Sequence, residues 1–168
     1  FKIKIMKVFK VRNVKTPERG TNLSAGIDFF VPNDLRPIKV MPHTDALIPT
    51  GIIAKFASNL MLMAAEKSGV TSSIQAKQNC GMKVKPNSFT EPTVLGAKIV
   101  DADYKGEIHI HIINLGTKSI TIEPGKKLAQ FILVPVHYDD IIEVSSAQEL
   151  FGKIKKERGA NGFGLGSE

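Results

Sequence analysis

The chain opens on alternation. Phe1-Lys2-Ile3-Lys4-Ile5 sets apolar against charged residues with the period of a strand that buries one face. The phase slips at Met6 and Val8-Phe9, which predicts a bulge or a new strand there. Short apolar runs then recur at 27–31, 46–54, 60–65, 94–100, 108–113, 120–122 and 128–134. Turn residues bound nearly all of them: Pro32-Asn33-Asp34, Met41-Pro42-His43, Pro86-Asn87, Leu115-Gly116-Thr117 and Glu123-Pro124-Gly125. Many short strands at this spacing predict an all-β sandwich or barrel. Short helical segments are expected near 72–78 and at 146–151, the second opened by a Ser cap.

Composition narrows the picture only a little. A length of 168 residues favours one domain, and nine Pro and fourteen Gly spread along it fit short elements separated by turns. With one cysteine, Cys80, no intrachain disulfide can form, and a reducing, intracellular compartment is the expectation. No apolar stretch is long enough for a membrane-crossing helix, so no membrane partner is expected. The net charge of +7 is first of all a solvated basic surface, with nucleic acid or a small polyphosphate as competing partners. Without Trp and with two Tyr, the chain has no aromatic-rich basic stripe for a single strand, so no nucleic acid is expected. The densest basic run, 153–158, leads into a glycine-rich tail, which favours phosphate.

The chemistry concentrates at Val100-Asp101-Ala102-Asp103-Tyr104-Lys105-Gly106-Glu107, a turn followed at once by the alternating Ile108-His109-Ile110. A turn uses one Asp and the Gly, and does not need two carboxylates and a tyrosine in four positions. That surplus marks a site on a rigid sheet. The tail Arg158-Gly159-Ala160-Asn161-Gly162-Phe163-Gly164 is either a frayed terminus or a wrap for a ligand. Glycines would let the backbone approach, Arg158 would supply a phosphate fork and Phe163 a stacking face.

With these blocks in view, the chain resembles the trimeric dUTPase family over residues 25–163. Ala25-Gly26-Ile27-Asp28-Phe29 is similar to the first family motif and Lys67-Ser68-Gly69-Val70 to the second. Val100 to Glu107 resembles the third, and Gly125-Lys126-Lys127-Leu128-Ala129-Gln130 the fourth. Arg158-Gly159 through Gly162-Phe163-Gly164 resembles the fifth. The resemblance implies a dUTPase-like distorted β-barrel or jelly roll over 1–152, with an inserted loop at about 71–97, and a mobile tail over 153–168 that closes over the site. It implies a homotrimer, dUTP as substrate and Mg²⁺ held mainly by the substrate phosphates. Asp101 would be the general base, Tyr104 would lie under the deoxyribose, and Phe163 would cover the uracil. Lys67, Ser68, Gly69, Gln130 and Arg158 would contact phosphates. Asp28 would organise the site, with no direct metal ligand but a contact through the metal's water shell.

Plainer roles compete with these. Asp103 reads as a turn residue and Asp28 equally as a cap at a strand end. His109 and His111 share a strand face at a spacing that can bind metal, but with no third ligand they read as solvent-facing or packed histidines. Lys126 and Lys127 read as an exposed hairpin, and Cys80 as a residue of a polar loop. The chain also departs from the family pattern. Glu66-Lys67 replaces the usual Pro-Arg before Ser68, which keeps a charge but loses the planar fork. The hairpin with which the family reads uracil lacks its Asn, its Gly is displaced in 93–98, and Leu165-Gly166 stands where hydroxyl residues usually meet the γ-phosphate.

Two alternatives belong to other classes. The related dCTP deaminases typically carry Pro-Gly-Trp where this chain has Ala102-Asp103-Tyr104, and a catalytic Glu where it has His111. A binding module of the same fold would use 71–97 to meet a protein partner. The retained Asp101, Tyr104, Gln130, Arg158 and Phe163 favour Mg²⁺-dependent hydrolysis of dUTP to dUMP and pyrophosphate.

Overall fold

A computed structural model of the chain describes residues 5–84 and 89–152. The predicted strand at Phe1–Ile5 falls almost wholly outside the described residues. Strands β1 (Lys7–Lys10), β2 (Glu18–Arg19), β3 (Ile27–Phe30), β4 (Ile38–Val40), β5 (Asp45–Pro49), β6 (Ile52–Lys55) and β7 (Leu60–Ala65) come first. Helices α1 (Ser68–Thr71) and α2 (Ile74–Asn79) follow, then β8 (Thr93–Leu95), β9 (Ile99–Val100), β10 (His109–Asn114), β11 (Ile120–Ile122), β12 (Lys127–Pro135) and α3 (Ala147–Phe151). The described chain is all-β with short helices, as the alternation predicts.

The chain divides into Phe1–His137, which holds every strand among the described residues, and Tyr138–Glu168. In the first unit all described strand pairs are antiparallel, in sheets ordered β2-β3-β12-β7-β9, β5-β10-β8, β1-β6 and β4-β11. Period-two alternation drives the packing. In β7 Leu60, Leu62 and Ala64 turn inward, and in β10 Ile110, Ile112 and Asn114 do the same. They meet Phe29 and Phe131, whose rings pack tilted at 4.5 Å, together with Ile48, Ile52, Ile122 and Leu128. Each such large side chain stabilises the fold by about 1.5–3 kcal/mol relative to an exposed one.

Two apolar runs that read as single strands are broken. The 46–54 run divides into β5 and β6, which belong to different sheets. At the corner Gly51 has φ +69°, a left-handed conformation that glycine adopts without a side-chain clash. Buried Thr50 closes the corner by donating its hydroxyl to the Ile108 carbonyl at 2.7 Å. The 94–100 run divides likewise: β8 pairs with β10 and β9 with β7, and residues 96–98 cross between the two sheets. Alternation registers apolar content, and it is blind to where a strand changes partner.

The helical expectations fare better. α2 begins after Ser73, whose Oγ accepts from Ala76 N–H at 3.2 Å, and α1 is an additional short turn. The segment expected as an inserted loop thus carries α2 and β8, and it sends Phe89 into the core. In the second unit α3 begins after Ser146, whose Oγ accepts from Glu149 N–H at 3.1 Å. Glu149 in return accepts from the Ser145 amide and hydroxyl, and these bonds lower its pKa.

Candidate active site

The turn after β9 closes through the main chain, with Tyr104 N–H donating to the Asp101 carbonyl at 3.2 Å. The Tyr104 hydroxyl donates to the Glu107 carbonyl at 3.1 Å, and its ring lies against Gly106. These contacts fix the ring while leaving the residue 48% exposed. Glu107 is itself anchored, accepting from Gly51 N–H at 2.8 Å and from Arg12 Nε at 3.0 Å. The Asp101 and Asp103 carboxylates face solvent, and among the described residues no hydrogen bond engages either one. Main-chain bonding, rather than the Asp103 side chain, therefore holds this turn. Asp101 and Tyr104 open onto a cleft of about 200 Å³ whose walls include Lys98 and His111. Tyr104 also lines a groove of about 500 Å³, with Phe9, Ile53 and Asp103 among its other walls.

A second group is built around Asp28, in the middle of β3 and only 4% exposed. Lys67 Nζ donates to its Oδ1 at 2.6 Å and Lys127 Nζ to its Oδ2 at 3.0 Å. Burial pushes the Asp28 carboxyl up, but the two ammonium hydrogen bonds win and hold it below the usual range. The same hydrogen bond raises Lys127, against the opposing effect of burial. Lys127 also reaches Glu18 at 3.6 Å. Two readings are corrected here. Asp28 is a paired carboxylate within a strand rather than a cap at its end. Lys126 and Lys127 are not a merely exposed hairpin: Lys127 holds Asp28, and Lys126 lies 3.6 Å over the Phe89 ring, where burial lowers its pKa.

Gln130 stands opposite Asp28 on β3 and Ala65 on β7. Its Nε2 donates to the Glu66 carbonyl at 3.0 Å. The Glu66 carboxylate takes Lys98 Nζ at 2.5 Å, a hydrogen bond that lowers the Glu66 pKa. Glu66, a departure from the family pattern, thus pairs with Lys98 from the hairpin that lacks the family's Asn. Lys67 is the N-cap residue of α1, and Ser68 and Gly69 follow within that helix. Arg158 and Phe163 lie outside the described residues.

Lys67 and Lys127 therefore gather on Asp28, Gln130 ties β12 to Glu66, whose carboxylate holds Lys98, and Asp101 and Tyr104 share a turn of their own. Sequence reasoning missed Lys127, Glu66, Lys98 and Asp45 as participants. The one available signal was that Lys127 lies in the same family block as Gln130. The histidines lie on the outward face of β10, His109 exposed with Nδ1 2.9 Å from the Glu107 carbonyl and His111 half-buried with Nε2 2.7 Å from Asp45 Oδ2.

A divalent cation would find no ready cage, because among the described residues no three metal-ligating side chains converge. Both Asp28 oxygens already carry ammonium groups. Lys67 and Lys127 are cations suited to a polyphosphate, and in nucleotide sites Mg²⁺ is usually carried on the phosphates.

The comparisons with known proteins agree with this architecture. The dUTPase family model matches residues 84–166. The deoxyuridine 5'-triphosphate nucleotidohydrolase of Chlamydia trachomatis is 32% identical over 148 residues, covering 88% of each chain. That of Orientia tsutsugamushi is 29% identical over 164 residues, covering 97% of this chain and 96% of its own. Among solved structures, the Staphylococcus bacteriophage 80alpha dUTPase with dUPNHPP superposes with a TM-score of 0.73 over 98% of this chain and 99% of its own, at 20% identity. With a relative above 30% identity aligned over most of its length, and an all-β fold to match, the chain belongs to the dUTPase family.

Proposed function

We infer that the chain is a dUTP diphosphatase that hydrolyses dUTP to dUMP and pyrophosphate, with Asp101 as the general base. The observation that carries the base assignment is an exposed carboxylate, unengaged by any described residue, on a rigid turn at the mouth of a cleft. A base must reach the proton it removes, and an acceptor already committed to an ammonium cannot. Water is held by Asp101 and attacks the α-phosphorus, and its proton passes to the carboxylate. The bond from the α-phosphorus to the bridging oxygen breaks, and pyrophosphate leaves with the electron pair.

Tyr104 stacks under the deoxyribose, since its hydroxyl is tied back to Glu107 and only the ring face is presented. A ring fixed beneath the sugar would leave no room for a 2′-hydroxyl. Lys67, Ser68, Gly69 and Gln130 serve the phosphates, with Arg158 and Phe163 delivered by the tail. Asp28 keeps Lys67 and Lys127 in place rather than ligating metal itself. When bound with the nucleotide, Mg²⁺ would be held by the three phosphates and spread the charge that develops on the leaving group. Asp28 would reach it only through coordinated water. As the family resemblance implies, the working unit is a homotrimer whose sites combine residues from neighbouring copies.

Pyrophosphate release measured across dUTP, dCTP, dTTP and UTP, with and without Mg²⁺, tests this reading. Turnover of dUTP alone, dependent on Mg²⁺, is expected. No turnover of any of the four would replace it with a binding module of the same fold.

A further inference from the structure

The segment 96–98 crosses from β8 to β9 and forms one wall of the cleft beside Asp101 and Tyr104. Its shape depends on one imidazole. Ala97 N–H donates to His111 Nδ1 at 3.0 Å, and Gly96 N–H donates to the His111 carbonyl at 2.9 Å. A side chain at Gly96 would fall inside the imidazole, 2.8 Å from its Cγ, so the loop backbone rests directly on the ring. From the other side Lys98 is tied to Glu66.

The hydrogen bonds also fix the tautomer. Because Nδ1 accepts from Ala97, it carries no proton, and the proton of the neutral ring is on Nε2. Nε2–H then donates to Asp45 Oδ2 at 2.7 Å. Asp45 on β5 thus selects the tautomer and ring orientation that present Nδ1 to the loop. Strand alternation sends Ile110 and Ile112 inward and His111 outward, so core packing does not call for an imidazole here.

We propose that His111, oriented by Asp45, is a positioning residue that sets the shape of the 96–98 wall and through it the discrimination between pyrimidine bases. This rests on the reading of Asp101 and Tyr104 as the groups beside the α-phosphorus and the sugar, which leaves the base to the adjoining wall. A base edge laid there meets main-chain groups, and their donor and acceptor positions stay fixed only while the loop does. A site built of such groups rejects the base that leaves them unpaired.

His111→Val removes the acceptor and keeps a residue suited to a strand. Its KM for dUTP should rise about tenfold, as loss of one hydrogen bond implies. Its kcat should stay within about twofold, and its preference for dUTP over dCTP should fall with the KM change. Hydrogen exchange at the Ala97 amide should accelerate in parallel, with or without nucleotide. His111→Gln, whose Oε1 can accept from Ala97, should recover most of the loss. Asp45→Ala should give a smaller rise, and the double variant should be no worse than His111→Val alone. Unchanged KM and Ala97 exchange in His111→Val would overturn the proposal. So would a fall in kcat with discrimination unmoved. Should His111→Val fail to fold, Asp45→Ala, altered at an exposed position, decides by the same readouts. A wild-type protein inactive on dUTP would remove the functional reading, and Ala97 exchange would still decide whether His111 holds the loop.

Discussion

Asp28 lies buried in the middle of a strand with an ammonium on each oxygen, whereas Asp101 stands in solvent just past the end of one. The first carboxylate already commits acceptor capacity on both oxygens to Lys67 and Lys127. The second keeps its capacity for something not yet bound. Burial explains the contrast, because a carboxylate removed from water is tolerated only when paired, while one on an exposed turn needs no partner. The difference teaches which acid can serve as base and which can only organise charge.

Asp101→Asn tests the contrast with the largest effect. It should lower kcat by about 10²–10⁴-fold while leaving the dissociation constant for a non-hydrolysed dUTP analogue nearly unchanged, read by pyrophosphate release and calorimetry. Equal loss of binding and turnover would remove Asp101 from the base role. Asp28→Asn should act the other way round. Two ammonium groups lose their shared counter-charge, at a cost of about 2 kcal/mol in thermal unfolding, with a smaller fall in kcat than at Asp101.

Acid should sharpen the same point. The Asp28 carboxyl is held below its ordinary value, so its stabilising contribution is fully present above the unfolded-state value of about 3.9 and is lost as pH falls through the folded value. Melting temperatures of the wild type and Asp28→Asn should therefore lie apart at neutral pH and converge in strong acid. A gap that persists would mean that packing, not charge, separates them. The smallest effect is expected for Lys67→Arg. It restores a planar fork at a site where a single Nζ already meets Oδ1 at 2.6 Å, and should change KM by no more than about threefold.

Most of the elements were legible in the sequence. Period two located the strands that bury one face, and Ser146 announced its helix by capping it. The Asp101 turn was legible because its residues exceeded what a turn requires. The Asp28 cluster was legible only in part. Its aspartate and Lys67 lay in recognisable blocks, but the decision that Lys127 completes the pair depends on β3 lying beside β12. Nothing local in Glu66 and Lys98, 32 positions apart, indicates an ion pair.

The sequence by itself determined the strand content, the family blocks and the candidates for the chemistry, since alternation, turn chemistry and motif spacing are local properties. Only the tertiary structure decided that the 46–54 and 94–100 runs change sheets, that Asp28 is neutralised by two lysines, and that His111 supports the loop beside Asp101. Those outcomes rest on contacts between residues far apart in the chain, where register and burial, rather than composition, choose each polar group's partner.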